Sequence, residues 1–342
     1  TPPYYNGGIE KASVNVIDFA KTDLLEPGES QTVSFSIALE DMASYDSYGH
    51  GCYVLEHGDY TVSIRSDSHT VLAQQTYTLD EDIVYGEDNP RSTDQTAAQN
   101  LFQWIEGDVT YLSRTDGFAN YEEATAGPST YEMPEEYKAV YVNNSNYDPF
   151  AENDPSDVAP VMGEDNGLTM KDMYGLDYDD PLWEDMLDQL TVEDMRYMIS
   201  SGGYQGGAIS HIGKVYTVDV DGPAGLSSFF NGNSGTAFPC ATLIACTWNK
   251  DLAYERGSQI GQEARELGVN GWYGPAMNIH RSAFSGRNFE YYSEDGMLTG
   301  YMAAAETKGA QDKGVYCYIK HFALNIPPTS TPPPICSVPA SL

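Results

Sequence analysis

Basic residues are scarce in this chain, which has 17 Lys and Arg side chains against 51 Asp and Glu among its 342 residues. The resulting net charge of −34 repels phosphate backbones and anionic lipids, so nucleic acids and membrane surfaces are excluded as partners. Long hydrophobic runs are also missing, since none reaches the roughly 18 residues that a membrane-spanning helix needs. A neutral ligand is indifferent to the charge, and this class of ligand stays open.

Metal-binding and disulfide patterns are absent as well. The five cysteines, an odd number, have spacings that fit neither a zinc site nor a disulfide framework; they are Cys52, Cys240, Cys246, Cys317 and Cys336. Three of them stand in apolar segments, where cysteine behaves as a small buried hydrophobic residue. The sequence therefore predicts reduced structural thiols, no metal and no cofactor. Reduced thiols favour the cytoplasm over secretion, although the compartment stays open.

Residues 1–85 carry the pattern of an all-β module. Short runs with alternating apolar residues, separated by turn signals, predict strands at residues 13–21, 31–39, 59–65 and 71–79. Glu26-Pro27-Gly28-Glu29 predicts a turn, because Pro presets one backbone dihedral and Gly allows a positive φ. Gly58-Asp59-Tyr60, at the start of a predicted strand, is typical of the tyrosine corner of a β-sandwich.

Beyond residue 85 the pattern changes twice. Residues 86–180 are rich in Tyr, Asn, Asp, Glu and Pro and predict an irregular connector with one short helix at residues 100–107. Thr191, followed by Asp194, then predicts a capped helix start. Further along, the apolar periodicity predicts strands at residues 215–220, 269–273 and 315–320, and helices at residues 251–267 and 297–313. Strand, polar loop and helix in repetition predict a parallel β/α barrel.

Polar motifs accompany these barrel segments, at the strand ends where such barrels hold their active sites. They are Asp221-Gly222-Pro223, Gly286-Arg287-Asn288-Phe289-Glu290 and Lys320-His321-Phe322. Because carboxylates and cations bind hydroxyl groups by charge-assisted hydrogen bonds, this set suits a polyhydroxylated ligand. Side chains of adjacent strand residues point to opposite faces, so Lys320 and His321 can reach one ligand only if the backbone leaves regular strand geometry.

The motifs of the second half also stand in an order typical of one enzyme family. They include Thr236-Ala237-Phe238-Pro239, Thr247-Trp248-Asn249, and residues 286–295 and 320–325. Together they resemble the barrel domain of glycoside hydrolase family 3, the β-glucosidase family. Residues 19–22, 25–30 and 58–62 likewise resemble the fibronectin type III-like domain that accompanies many enzymes of this family.

The resemblance implies a multidomain fold in the reversed domain order. An all-β fibronectin III-like sandwich is expected over residues 1–85, with its first strand missing, and a connector over residues 86–180. An incomplete (β/α)8 TIM-type barrel, the first part of the family 3 barrel domain, is expected over residues 181–325. Residues 326–342 form a Pro-rich tail that departs from the family, because Pro can continue neither a helix nor a central strand.

The resemblance further implies that the chain is a fragment of a retaining, exo-acting β-glucosidase. Such an enzyme hydrolyses terminal β-D-glucosyl residues of β-glucosides or short β-gluco-oligosaccharides. Asp221, Arg287, Lys320 and His321 align with the residues that hold the terminal glucose. In the family the nucleophile is an Asp beyond the Lys-His motif, and the acid/base is a Glu of another domain. No catalytic carboxylate is therefore expected in this chain, and its missing flanking domains are expected partners.

Two alternatives stay open at the level of sequence. From chemistry alone, the carboxylate pair of a glycosidase could be drawn from Asp221, Glu290, Glu294 and Asp295. The resemblance instead implies structural roles for the last three, such as capping the helix that starts near Met297. A non-catalytic carbohydrate-binding or scaffolding protein would also lack the two catalytic carboxylates. The aglycone and the choice between glucose and xylose stay open as well.

Overall fold

The computed structural model describes residues 1–94, 96–100, 110–126, 130, 132–133, 135–136, 138, 148, 150–151, 153–228, 230, 232–281 and 285–322. The predicted helix at residues 100–107, apart from Asn100, lies outside the described residues. The same holds for the tail at residues 326–342, which includes Cys336. The four described cysteines are free; Cys52 is buried, Cys240 and Cys317 are partly buried, and Cys246 is exposed, so the burial expected of cysteines in apolar segments is wrong for Cys246.

Antiparallel strands dominate the first part of the chain. They are β1 (Ser44–Tyr45), β2 (Tyr53–Leu55), β3 (Gly58–Arg65), β4 (Val71–Leu79) and β5 (Ile83–Tyr85). Strands β1, β2 and β5 form one sheet in that order, and β3 pairs with β4 in a second one. The strands predicted at residues 59–65 and 71–79 are thereby confirmed. The predicted turn is confirmed too, because Glu29 N donates to Glu26 O over 2.9 Å and Gly28 has a φ of +91°.

The strands predicted at residues 13–21 and 31–39 were wrong, since the structure has no strand before Ser44. Phe19 packs instead among the helices of the second half of the chain, against Ala241 and Ile244. Phe35 is exposed to solvent. Alternation of apolar and polar residues shows that a segment can form a strand, but a strand also needs a neighbouring strand for its backbone hydrogen bonds. Neither of these two segments pairs with a neighbouring strand.

A small core holds this β-rich part together. Leu55, Tyr60 and Tyr85 are buried against one another. The Tyr60 hydroxyl donates to the backbone oxygen of Glu56 over 2.8 Å, which is the bond expected of a tyrosine corner. The predicted tyrosine corner is therefore confirmed.

The connector folds back onto the β-rich part, because Arg114 Nη1 donates to Lys11 O over 2.8 Å.

Helices alternate with parallel strands in the second half. After α1 (Tyr121–Ala124) come α2 (Leu182–Leu187), α3 (Val192–Ser200), β6 (Gln205–Gly206), β7 (Thr217–Asp221), α4 (Ala241–Cys246), α5 (Lys250–Glu266), β8 (Gly271–Tyr273), α6 (Gly296–Gln311) and β9 (Tyr316–Cys317). Strands β7, β8 and β9 run parallel, and β6 pairs antiparallel with β7. The predicted cap of α3 is confirmed, because Thr191 accepts from Asp194 N while the Asp194 side chain reaches back. The two long helices lie within two residues of their predicted bounds.

The outer faces of β7 and β8 form a core with α5 and α6. Val220 and Trp272 are fully buried there, together with Ile260. Helices α5 and α6 approach so closely that a Cβ added to Gly257 would lie 1.9 Å from the backbone oxygen of Glu306. This packing sends the outward residues of each strand to the helices. The alternate residues, among them Asp221 and Tyr273, are left for the opposite face of the sheet.

The N-terminal residues are fastened to this helical layer. The Phe19 ring meets Trp248 and Tyr301 edge to face, at centroid distances of 5.2 and 5.6 Å. Lys250 Nζ pairs with Asp18 Oδ1 at 2.7 Å. The two halves of the chain therefore share an apolar and ionic contact. In the part of the chain that the structure describes, no helix has the length and apolar character to span a membrane.

Candidate functional site

An ion pair at the carboxyl ends of the parallel strands forms the centre of the site. Asp221 is the last residue of β7, and Lys320 follows β9. The Lys320 backbone is held beside the loop after β8, since Lys320 N donates to Pro275 O over 3.1 Å and Met277 N donates to Lys320 O over 2.7 Å. This placement lets Lys320 Nζ donate to Asp221 Oδ1. Lys320 is only 2% exposed, so its charge depends on this partner.

A second ion pair lies directly beside the first. Both oxygens of Glu290 accept from Arg287, each over 2.8 Å. Glu290 Oε2 is also 4.0 Å from Lys320 Nζ. The hydrogen bond and the charge of Glu290 raise the pKa of Arg287, against the opposing effect of burial. Glu290, which the sequence assigned to a structural role, therefore links two of the predicted site residues.

His321 is placed against the same cluster. Its backbone N–H donates to Asn278 Oδ1 over 2.7 Å, and its Nδ1 lies 2.8 Å from the Tyr291 hydroxyl. Burial, and then the charges of Arg287 and Lys320, lower the pKa of His321 below its usual value. The ring is consequently neutral near pH 7. Either the Tyr291 hydroxyl or Nδ1 can be the donor of this bond, so Nε2 of the neutral ring can accept from a ligand or donate to one, as the tautomer allows.

The backbone at Lys320 and His321 is not that of a regular strand. Strand β9 ends at Cys317, and Lys320 makes only an isolated parallel bridge with Ala276. The peptide bond between Lys320 and His321 is cis. Both side chains reach the same cluster, since Lys320 Nζ contacts Asp221 and the His321 ring lies 6.0 Å from the Tyr273 ring.

Aromatic rings line the site, and the sequence analysis missed them. The Tyr273 ring centroid lies 4.4 Å from Lys320 Nζ, and the Tyr204 hydroxyl donates to Asp221 Oδ2 over 3.2 Å. Tyr204 also meets Tyr273 at 6.1 Å and stacks on Phe230 at 5.2 Å. Tyr273 could have been found from its position at the end of a predicted strand. Tyr204 lies in a glycine-rich loop at residues 201–207, whose sequence predicts a flexible loop near the barrel mouth but does not single out this tyrosine.

Two other polar residues near the motifs support the backbone, and a third is exposed. Asp295 caps α6 by accepting from Leu298 N over 2.8 Å, which confirms its predicted role. Glu294 is exposed. His280 Nε2 lies 2.8 Å from the backbone oxygen of Asn288, so it holds the loop that carries Arg287.

A further carboxylate lies one layer below the ion pairs. Asp219 accepts from the Tyr316 hydroxyl over 2.7 Å and from the Tyr318 hydroxyl over 3.1 Å, and so ties β7 to the chain around β9. It spans β8 at Gly271, where an added Cβ would lie 2.3 Å from the Asp219 carboxylate. Among the residues described, no group of three or more His, Cys, Asp or Glu side chains is arranged to hold a metal ion. The cluster around Asp221 is thus a set of charged donors and acceptors beside aromatic rings, an arrangement that can bind hydroxyl groups.

Comparison with known proteins agrees with this geometry. The family described as glycosyl hydrolase family 3 N terminal domain matches residues 205–325, and the fibronectin type III-like domain matches residues 3–68. Asp221, Arg287, Lys320 and His321 all fall within the first match. The resemblance inferred from the motifs is therefore confirmed, with the fibronectin type III-like domain first in the chain.

Relatives that are similar over most of this chain are much longer than it is. β-Glucosidase A of Butyrivibrio fibrisolvens is 34% identical over 337 residues, which cover 94% of this chain and 39% of that protein. A β-glucosidase of Ruminococcus albus is 30% identical over 342 residues, which cover 94% of this chain and 32% of that protein. The solved β-glucosidase of Paenibacillus barengoltzii matches with a TM-score of 0.59 and 26% identity, over 89% of this chain and 33% of that one. This multidomain chain therefore carries a match to the N-terminal domain of glycoside hydrolase family 3 at residues 205–325, with a fibronectin type III-like domain ahead of it at residues 3–68.

Proposed function

We propose that this chain carries part of the terminal-glucose subsite of a retaining, exo-acting β-glucosidase. The observation that carries the proposal is the convergence of Asp221, Arg287, Lys320 and His321 at one edge of the parallel sheet. Asp221, Arg287 and Lys320 lie in three separate parts of the chain, so the fold is what brings them together. The substrate would be a β-glucoside or a short β-gluco-oligosaccharide.

Each side chain has a role that its present contacts support. Asp221 keeps 36% of its side chain exposed while Lys320 holds one of its oxygens, so the carboxylate is fixed and can still accept from sugar hydroxyls. Arg287 is 40% exposed and has donors beyond those used by Glu290. His321 Nε2 can donate to a sugar hydroxyl or accept from one, as its tautomer allows. Tyr273 and Tyr204 offer ring faces to the apolar side of a sugar.

The two catalytic carboxylates of the reaction lie outside this chain in our proposal. Retaining hydrolysis needs one carboxyl group that delivers a proton and a second that attacks the sugar. Asp221 and Glu290 are each committed to a cation, which suits binding better than proton delivery. Asp295 is used as a helix cap. The nucleophile and the acid/base would then come from the flanking domains of the parent enzyme.

We also propose that the parallel strands β7, β8 and β9 begin a (β/α)8 barrel over residues 181–325. Helix α5 lies between β7 and β8, and α6 between β8 and β9, as barrel crossovers require. Residues 1–85 would be the fibronectin III-like sandwich, residues 86–180 the connector and residues 326–342 a tail outside the family. The sequence coverage of 94% by β-glucosidase A supports this arrangement over the chain as a whole.

A hybrid enzyme tests the proposed function. This chain would replace the matching segment of the Butyrivibrio β-glucosidase A, and kcat/KM would be measured on an aryl β-glucoside. We expect turnover with retention of configuration in the hybrid and only background turnover by the 342-residue chain alone. Losing members of a catalytic unit costs factors of roughly 10⁴ to 10⁶, so the contrast is easily measured.

Glucose binding by the isolated chain is the second measurement, because a hybrid can be inactive through poor assembly alone. Saturation-transfer NMR with D-glucose is expected to show binding that Asp221→Asn removes and that the control Glu294→Gln keeps. A chain that folds without binding glucose, together with a folded but inactive hybrid, would contradict the proposal. Full turnover by the isolated chain would return the catalytic role to Glu290 or Glu294.

A further inference from the structure

A buried ionic network lies behind the sugar site, between helices α5 and α6. Arg256, Tyr292 and Glu306 are 4%, 1% and 0% exposed. Arg256 Nη1 donates to Glu306 Oε1 over 2.5 Å, and the Tyr292 hydroxyl donates to Glu306 Oε2. The close helix contact at Gly257 brings the carboxylate of one helix to the guanidinium of the other.

The network ends on both loops that carry the site. Arg256 Nη2 donates to the backbone oxygen of Pro223 over 2.5 Å, and Pro223 belongs to the motif that begins with Asp221. At its other end, Tyr292 directly follows Tyr291, whose hydroxyl contacts His321. Glu306 therefore connects the Asp221 loop, at residues 221–228, with the Arg287 loop, at residues 286–293.

We propose that Arg256, Glu306 and Tyr292 form a positioning unit that sets the separation of the Asp221 loop and the Arg287 loop. This inference rests on the proposed function, since it concerns the same sugar site. None of the three touches the site directly. Their effect on a sugar would pass through the two backbones that they hold.

Packing alone does not account for such a unit. An apolar set of the same volume is often as stable as a buried ion pair or more stable, because both charges must be removed from water. Here the neighbours of Tyr292 are already apolar, and they include Ala253 and Met302. Burial raises the pKa of Glu306, which shows the cost of keeping this carboxylate charged. Beyond packing, the ionic set provides directional hydrogen bonds, one from Arg256 to the Asp221 loop and one from Tyr292 of the Arg287 loop to Glu306.

Conservative variants separate the two arms of the network. Arg256→Lys keeps a cation near Glu306 but loses the fork that also reaches Pro223, so only the Asp221 loop should loosen. Tyr292→Phe keeps the ring and removes one hydroxyl, so only the Arg287 loop should loosen. Glu306→Gln keeps the shape and removes the charge that both arms use, so both loops should loosen.

Hydrogen exchange by mass spectrometry on the full 342-residue chain, at concentrations where it is monomeric, reports this directly. Ser227 N, which donates to Asp221 O, follows the Asp221 loop, and Glu290 N, which donates to Arg287 O, follows the Arg287 loop. Loss of one charge-assisted bond should speed exchange in the affected loop by about tenfold. Glu56→Gln is the matched control, because it breaks the buried Lys11–Glu56 pair of the β-rich part, far along the chain from the site.

The loop-specific pattern supports the proposal, and glucose affinity should then fall in Arg256→Lys but not in Glu56→Gln. Equal loosening of both loops by every variant, or loosening that only follows the melting temperature, would overturn it. Tyr292→Phe removes a single atom and keeps the test valid if the charge variants do not fold. A chain that shows the exchange pattern but binds no glucose would overturn the proposed function alone.

Discussion

Replacing Asp221 by alanine should weaken both the fold and the proposed sugar site, for different reasons. In the fold, Lys320 would lose its partner while it stays buried, with Glu290 4.0 Å away and the Tyr273 ring at 4.4 Å as its remaining support. Breaking a fully buried ion pair costs about 3–5 kcal/mol. Because Asp221 is 36% exposed and Glu290 remains, we expect a smaller loss of unfolding free energy, about 1.5–3 kcal/mol.

At the site, the variant loses the acceptor for sugar hydroxyls. One charge-assisted hydrogen bond is worth about 1.5–3 kcal/mol, which corresponds to a fall in glucose affinity of roughly ten- to a hundredfold. In the hybrid enzyme kcat/KM should fall by at least the same factor. Urea unfolding of the chain and a glucose titration measure the two effects on one sample.

A double variant separates the two causes. Asp221→Ala combined with Lys320→Met removes the unpaired charge, and an apolar replacement of a buried pair is often close to neutral in stability. We expect the unfolding free energy to recover towards the parent value while glucose binding stays lost. If Asp221→Ala binds glucose like the parent, Asp221 is only a turn residue and the site is wrong. If the double variant is no more stable than the single one, the reasoning about Lys320 fails.

Other parts of the chain give further expectations. The pKa of His321 is lowered in the folded chain, so on acidification the unfolded chain binds a proton at this ring before the folded chain does. The contribution of the neutral ring to the unfolding free energy is therefore complete above about pH 6.5 and is lost as the pH falls through the folded pKa. His321→Gln should flatten that pH dependence of the unfolding free energy, and an unchanged slope would contradict the assignment. Asp295→Ala should cost about 1 kcal/mol through loss of the α6 cap, while Glu294→Gln in the same loop leaves the melting temperature unchanged. Among the described residues β9 is the last strand of its sheet, so the isolated chain should self-associate through it, and sedimentation of a monomer at every concentration would count against this.

Several features could be predicted because the interactions behind them are local. The cap formed by Thr191 and Asp194 and the turn at Gly28 involve residues a few positions apart, so their bonds can be inferred from spacing alone. The helix at Lys250–Glu266 could be predicted from its apolar residues, which repeat with the helical period. The position of Asp221 at the end of its strand could likewise be predicted from the local pattern. The net charge of −34 also predicts, without any fold, that polyanions are repelled, because charge acts at long range; this stays a prediction.

Tertiary packing decided what local patterns left open. Residues 13–21 have a strand-like pattern, yet Phe19 packs in a core cluster with helix residues rather than in a sheet. Glu290 lies beside the proposed site residues, Tyr204 contacts Asp221 from a glycine-rich loop, and Arg256 contacts a carboxylate 50 positions along the chain. Such meetings depend on how helices and strands stack, and short-range periodicity carries no information about distant partners. The four residues of the proposed site could therefore be named from the sequence motifs, but the contacts that hold them in place could not.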